Sequence, residues 1–296
     1  MRALRIHAYG GPEVLHLENI AVPVAGKGQL LVKVRAASVN PIDWKIRRGM
    51  LAGIFPVSFP RTLGRDCAGE TESGKLFAGV SDLRTDGTHA EFVLLPESQL
   101  AAVPAGLGAA EAASLCIAGL SAYVPLVEVA QVKAGMKVLV HAGAGGVGSL
   151  AIQIARHLGA DVTATASPAN RDYCMSLGAS RVIDYRNETL EQDSFDIVLD
   201  TIGGETHRRS IQALKPGGVL VALAAAPIPD GPERPGARVI MAKIQTTRER
   251  LEKIFAWAAC GDLRPQVKHT FPLEDAAEAY AASESGHSRG KIVIVP

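Results

Sequence analysis

The fold is decided by Lys137-Val-Leu-Val-His-Ala-Gly-Ala-Gly-Gly-Val-Gly-Ser-Leu-Ala-Ile-Gln-Ile-Ala-Arg-His-Leu-Gly159. Val138 to Val140 form a short β-branched, apolar run, which predicts a buried strand. Gly143, Gly145 and Gly148 then fit G-x-G-x-x-G, with Gly146 as an additional glycine. Leu150, Ile152, Ile154, Ala155 and Leu158 follow at helical spacing, and Gly159 supplies the stop. A dinucleotide pyrophosphate needs this order. Glycines admit the backbone to the phosphates, and unpaired amides at the helix start face the anion. The strand before the motif and the helix after it separate a cofactor site from a plain structural turn.

The next strand, Asp161 to Ala166, runs into Ser167-Pro-Ala-Asn-Arg171. An NAD site places an Asp or Glu near this strand end to accept from the ribose 2′-OH. Here Ser167 and Arg171 stand instead, a hydroxyl and a fixed cation that suit a phosphate. The expected cofactor is therefore NADP(H). Arg171 also fits a plain solvated cation at a helix start.

Outward from this core, strands are predicted at 137–142, 161–166, 181–184, 195–200 and 218–224. Helices are predicted over Pro168–Leu177 and Glu205–Leu214. Such alternation is the sequence form of a parallel sheet. Asp200-Thr-Ile-Gly-Gly204 lies at a carboxyl strand end, where ligands of such sheets bind. Ala109 to Val129 reads as a helix interrupted by Gly119 and Pro125.

The first 115 or so residues are richer in strand and turn signals, with Leu30–Val39 and Ala90–Pro96 as strands. Thr246–Cys260 reads as an amphipathic helix, Val267, His269 and Phe271 as an alternating strand, Pro272–Tyr280 as a helix and Lys291–Val295 as a strand. This tail shares the texture of the first part and is expected to complete it. The expected domains are 1–116 with 250–296, a substrate domain, and 117–249, a dinucleotide-binding domain.

Composition narrows the function classes. The chain has 296 residues, 47% hydrophobic and 21% charged, which suits two domains with sizeable cores. A net charge of +1 leaves no electrostatic footprint for nucleic acid or an anionic membrane. No apolar run is read as a membrane span, and the first residues read as a strand rather than a signal sequence, so a cytoplasmic location is expected. Cys67, Cys116, Cys174 and Cys260 form no C-x-x-C pair and are each expected to be small buried hydrophobes.

Several segments together resemble the medium-chain dehydrogenase/reductase superfamily, in its zinc-independent quinone oxidoreductase-like branch. They are Ser38-Val-Asn-Pro-Ile-Asp-Trp-Lys45, Gly64-Arg-Asp66, Gly87-Thr-His-Ala-Glu91, Gly119-Leu-Ser-Ala-Tyr123, the Gly145–Gly148 turn, Phe195–Asp200 and Arg289-Gly-Lys-Ile-Val293. The resemblance implies an α/β chain: a Rossmann, doubly wound parallel-sheet domain inside a split, irregular, β-barrel-like (GroES-like) substrate domain. It implies NADPH in the cleft, hydride transfer to a quinone or related conjugated carbonyl, and a homodimer. It places Gly145, Gly146, Val147 and Gly148 on the pyrophosphate, and Ser167, Arg171 and Tyr185 around the 2′-phosphate. Asn40 and Ser121 fall near the nicotinamide, with the backbone of Ala224, Ala225 and Ala226 along the ring. Lys291 or Arg289 reaches the cofactor from the terminal segment, or is a solvated cation.

Zinc-dependent relatives carry Cys at the position of Pro41 and His-Glu at Arg65-Asp66. Neither Pro nor Arg supplies a zinc donor, so no metal is expected. Asp43 reads as a structural partner, of Lys45, rather than an acid. Trp44 reads as a wall for a planar substrate or as a buried aromatic. His89 and His141 read as hydrogen-bonded structural residues. Between Gly69 and Gly87 the chain is shorter than its relatives, which is expected to reshape one wall of the substrate site. Two other activities fit the same residues: reduction of an alkenal or enone C=C bond, and a non-catalytic NADPH-binding sensor.

Overall fold

A computed structural model describes residues 1–223 and 234–296. The chain divides into two compact units: residues 1–117, 246–261 and 265–296, and residues 118–245 with 262–264.

The first unit begins with β1 (Arg2–Ile6), β2 (His16–Asn19), β3 (Gln29–Val39), α1 (Pro41–Arg47), β4 (Arg61–Thr62), β5 (Asp66–Glu70), β6 (Leu76–Val80), β7 (Phe92–Pro96) and β8 (Leu100–Ala102). α2 (Ala109–Tyr123) carries the chain into the second unit. The long strand β3 organises this unit. Its first half pairs with β7, and its second half pairs antiparallel with β5 on one side and with a returning strand on the other. A register shift between Val34 and Ala36 interrupts the β3–β5 pairing, at the level where β7 leaves the other edge of β3 after Lys33 and the returning strand joins it at Ala37. β1, β2 and β4 make a separate three-stranded sheet.

The second unit contains β9 (Lys137–Val140), α3 (Gly146–His157), β10 (Asp161–Ala166), α4 (Arg171–Ser176), β11 (Arg181–Asp184), β12 (Phe195–Asp200), α5 (Glu205–Ala213), β13 (Leu214–Ala222) and β14 (Arg238–Met241). All six strands are parallel, in the order β11-β10-β9-β12-β13-β14. Numbered within the sheet this is 3-2-1-4-5-6, the doubly wound dinucleotide-binding order. The order reverses between β9 and β12, so the glycine turn after β9 opens at the switch point. Leu139, Val198 and Leu220 are fully buried among Phe195, Ile211 and Leu214.

The chain then returns to the first unit through α6 (Arg248–Ala259), β15 (Val267–Pro272), α7 (Ala276–Glu284) and β16 (Lys291–Val295). Thr247 caps α6, accepting from the Arg250 amide at 3.3 Å. β16 inserts between β15 and β3. Ile292 and Ile294 of β16 are buried with Val39, Ile46, Leu273, Ala279 and Tyr280.

Four sequence expectations are corrected. Gly119 does not interrupt α2, and Pro125 sits in a π-helical continuation over Val124–Val129 instead of ending the helix. A wider turn accommodates the missing proline amide. This 21-residue stretch is long and apolar enough to cross a membrane by length and composition alone, contrary to the expectation that no run is; most of its side chains are buried inside the protein. The strand expected at 218–224 begins at Leu214, because Lys215-Pro-Gly-Gly218 runs within β13 across a register irregularity opposite Phe195–Ile197. Cys260 is exposed rather than buried; it follows α6, and its thiol donates to the Trp257 carbonyl at 3.4 Å.

Candidate active site

The glycine turn is built by close packing. A Cβ at Gly148 would fall within the van der Waals shell of the Ala142 carbonyl, and one at Gly143 would lie 2.8 Å from the Ala164 Cβ. Ala142 itself adopts φ 48°, in the left-handed region. It is held there from both sides: its amide donates to Thr165 Oγ1 at 3.1 Å, and its carbonyl accepts from the Gly145 amide at 2.9 Å. The first amide of α3 with a carbonyl four residues back is Ser149, bonded to Gly145. The amides of Gly146, Val147 and Gly148 therefore point out of the helix start without an intrahelical acceptor. A pyrophosphate fits this cradle, since its oxygens supply the acceptors and its charge suits the helix dipole.

A proton-ordered chain ties the turn to α5. Ser210 Oγ donates to the Thr206 carbonyl at 2.6 Å, so it accepts from His141 Nε2 at 2.7 Å. His141 Nδ1 then accepts from Thr165 Oγ1 at 3.1 Å. This arrangement requires a neutral imidazole, and burial lowers the His141 pKa to about 4. Across the switch point, Asp200 at the end of β12 accepts from the Ile202 and Gly203 amides, both at 2.9 Å, and from His207 Nδ1 at 2.9 Å. None of these contacts involving Ser210 or His207 follows from sequence spacing alone.

At the carboxyl ends of β10 and β11, Ala166 and Asp184 are paired, which brings Ser167 and Tyr185 to neighbouring strand ends. Ser167 Oγ accepts from Asn170 Nδ2 at 3.2 Å. Tyr185 is exposed, with the Arg186 guanidinium 5.5 Å from its ring centre. Arg171, the first residue of α4, meets Glu188 with Nη2–Oε1 at 3.3 Å. Ser121 is half-buried on α2. Ala224, Ala225 and Ala226 lie outside the described residues.

In the first unit, three of the quoted segments converge on one buried polar cluster. Asp66 Oδ1 accepts from Ser38 Oγ at 2.7 Å and from Asn40 Nδ2 at 2.8 Å, while its Oδ2 accepts from the Ile117 amide at 2.9 Å. Lys291 Nζ donates to Asn40 Oδ1 at 2.7 Å and to the Val39 carbonyl at 2.9 Å. Lys291 is thus a buried cation on β16, not a solvated one, and its ammonium is held by Asn40. Burial lowers its pKa, opposed by the nearby Asp66 and Asp43 carboxylates. Asn40 in turn has both amide hydrogens committed, to Asp66 Oδ1 and to the Ser38 carbonyl at 3.2 Å, leaving one lone pair on Oδ1.

Asp43 does not pair with Lys45. Its Oδ2 accepts from the Asn40 amide at 2.8 Å at the first turn of α1, and Lys45 instead places its ammonium 5.5 Å from the Trp44 ring centre. Asp43 is fully buried, and burial raises its pKa to about 7, with Asp66 adding to the shift. Trp44 is half-buried and packs against the Leu4–Ile294 core. His89 Nε2 donates to the Ser38 carbonyl at 3.3 Å and Nδ1 accepts from the Tyr280 hydroxyl at 3.0 Å; burial lowers its pKa to about 4. Pro41 and Arg65 offer no metal donor, and the Arg65 Nε donates to the Ser81 carbonyl at 3.0 Å. Among the described residues, no three His, Cys, Asp or Glu side chains group as metal ligands. The shortened 70–86 segment consists of a tight turn after β5, with the Gly74 amide donating to the Thr71 carbonyl at 2.9 Å, then β6, and then residues 81–86.

Residues 26–105 match the alcohol dehydrogenase GroES-like domain, and residues 177–294 match the zinc-binding dehydrogenase family. An NADPH-dependent alkenal/one oxidoreductase of Arabidopsis thaliana is 35% identical over all of this chain and 80% of its own length. The quinone oxidoreductase of Coxiella burnetii superposes with a TM-score of 0.91 at 32% identity, covering 100% of this chain and 99% of that one. The Escherichia coli quinone oxidoreductase, solved in complex with NADPH, gives 0.91 at 26% identity with both chains fully covered. The chain belongs to the medium-chain dehydrogenase/reductase superfamily, in its zinc-independent, quinone oxidoreductase-like branch.

Proposed function

We propose that this protein is an NADPH-dependent reductase of conjugated carbonyl compounds, with quinones as acceptors. The observation that carries the reading is the Gly143–Gly148 cradle opening at the switch point of a 3-2-1-4-5-6 sheet. The relatives with NADPH in their names support the choice of cofactor. When bound, the reduced nicotinamide supplies the hydride.

In this reading Gly146, Val147 and Gly148 hold the pyrophosphate through their amides, and Gly145, whose own amide is used by the Ala142 carbonyl, shapes the turn against which the pyrophosphate rests. Ser167, Arg171 and Tyr185 receive the 2′-phosphate at the ends of β10 and β11. Ser121 serves the nicotinamide end. Asn40 and Trp44 serve the acceptor and nicotinamide, Asn40 only through the lone pair that Lys291 leaves on Oδ1. Lys291 then acts by fixing the Asn40 amide rather than by touching the cofactor. The second unit is the dinucleotide domain and the first the substrate domain. A homodimer fits the edge strand β14, whose Val239 and Met241 are exposed. A cytoplasmic location fits the buried, reduced thiols of Cys67 and Cys116.

The plant relative's name favours a second acceptor class, the C=C bond of alkenals and enones. Stopped-flow oxidation of NADPH against a quinone panel and an enone panel separates the two by their kcat/KM. Binding of NADPH with no acceptor-dependent oxidation would indicate a sensor instead. Arg171→Ala should weaken NADPH by about 1.5–3 kcal/mol and leave NADH nearly unchanged. Equal affinities of the unmutated protein for NADPH and NADH would remove the preference.

A further inference from the structure

Arg171 is not a free cation waiting for a phosphate. Its guanidinium meets Glu188 at 3.3 Å, and the two side chains are 48% and 39% exposed, so the pair is loose and solvent-screened. Glu188 is itself anchored: the same Oε1 accepts from the Asp184 amide at 2.9 Å, and its backbone amide donates to the Asp184 carbonyl at 2.8 Å. Asp184 is otherwise engaged locally, accepting from the Arg186 amide at 3.1 Å and from Asn187 Nδ2 at 2.8 Å. Thus one carboxylate is tethered beside β11, facing the cation that the sequence marks for the 2′-phosphate. Sequence spacing hid this acid, because it follows the third strand of the sheet and not the second.

We propose that Glu188 is a specificity-determining residue that sets the NADPH-to-NADH ratio by competing with the 2′-phosphate for Arg171. This rests on the cofactor reading above. A phosphate entering beside Ser167 takes the guanidinium in exchange for a carboxylate, so its net gain is smaller than that of binding an unpaired arginine. Glu188 keeps its bond from the Asp184 amide after the exchange and remains as a nearby negative charge. NADH, lacking the phosphate, requires no exchange.

The experiment is a double-mutant cycle of Glu188→Gln and Arg171→Ala, read by calorimetric titration of NADPH and of NADH. Glutamine keeps an acceptor for the Asp184 amide, so the strand end is preserved, and unchanged circular dichroism verifies folding. Glu188→Gln should tighten NADPH by roughly five-fold, the scale of a lost exposed ion pair, and move NADH by less than two-fold. In the Arg171→Ala background the gain should shrink to less than two-fold. An unchanged NADPH-to-NADH ratio in Glu188→Gln overturns the proposal and leaves the cofactor reading standing. An equal NADPH gain with and without Arg171 also overturns it, since the effect is then simple repulsion. No binding of either nucleotide by the unmutated protein overturns both.

Discussion

Asp43 shows how one buried side chain can work against the structure that holds it. Its Oδ2 is used by the Asn40 amide, while Oδ1 has no partner among the described residues. Burial lifts its pKa from 3.8 to about 7. A carboxyl raised in the folded state favours folding below its ordinary pKa, and that contribution is lost as the pH rises through about 7. Asp43→Asn keeps the bond to the Asn40 amide and removes the ionisation. It should therefore leave stability nearly unchanged at pH 4 and raise it by a few kcal/mol at pH 8, since each tenfold change in proton affinity is worth about 1.4 kcal/mol. Urea unfolding at the two pH values measures this; an equal change at both would refute it. The Asn40–Lys291 contact was out of reach of sequence reasoning for a simple reason. The partners lie 251 residues apart, and only the pairing of β16 with β3 brings them together. Asp43 was legible as structural, but its neighbour in the sequence, Lys45, was the wrong partner, because α1 turns that side chain towards Trp44.

Among the elements, the glycine turn was the most legible, because strand, turn and helix signals agreed in order. Its tightness was not. Gly148→Ala must displace the Ala142 carbonyl or the start of α3, a strain of about 1–3 kcal/mol by the cost of overpacking. The substitution should lower Tm by several degrees and weaken NADPH and NADH alike, because it alters the shared pyrophosphate cradle and not the 2′ end. Selective loss of NADPH alone would contradict the assignment. α1 escaped sequence reading, since seven residues starting at Pro41 show too little periodicity to distinguish from a loop. β14 escaped as well: Arg238–Met241 follows a proline-rich stretch and is recognisable only from its parallel pairing with β13. In α2, glycine and proline are local signals for a break, whereas burial of an apolar helix overrides that local preference.

For the whole molecule, alternation of strands and helices after Lys137 and the turn-rich flanks identified both architectures. The interleaving of distant strands in the first unit was less visible, because antiparallel partners there are separated by tens to hundreds of residues. Buried titrating groups in both units shape one overall property. His89 and His141 have pKa values lowered to about 4, so each favours the unfolded chain as the pH falls from 6.5. Asp43 has the opposite sign over the same range. Between about pH 4.5 and 6 these three groups give the unfolded chain two more protons at the histidines and one fewer at the carboxyl. Their sum is a gain in stability of about 1.4 kcal/mol as the pH rises by one, roughly doubled in Asp43→Asn. Chemical unfolding at pH 4.5, 5.25 and 6 tests both slopes, and a parent protein at least as stable at pH 4.5 as at pH 6 would contradict the assignment.

The insertion of β16 between β15 and β3 has a consequence for how the chain is made. During synthesis on the ribosome, every residue of the dinucleotide-type sheet emerges before Lys291 does. β3 must wait, one flank of its second half uncovered, while some 250 further residues are translated. Folding order is thus reversed with respect to chain order: the middle of the polypeptide is free to settle first, and the opening segment is closed only by the arrival of its distant neighbour. An open strand edge exposed for that long is where a nascent-chain chaperone has most to protect.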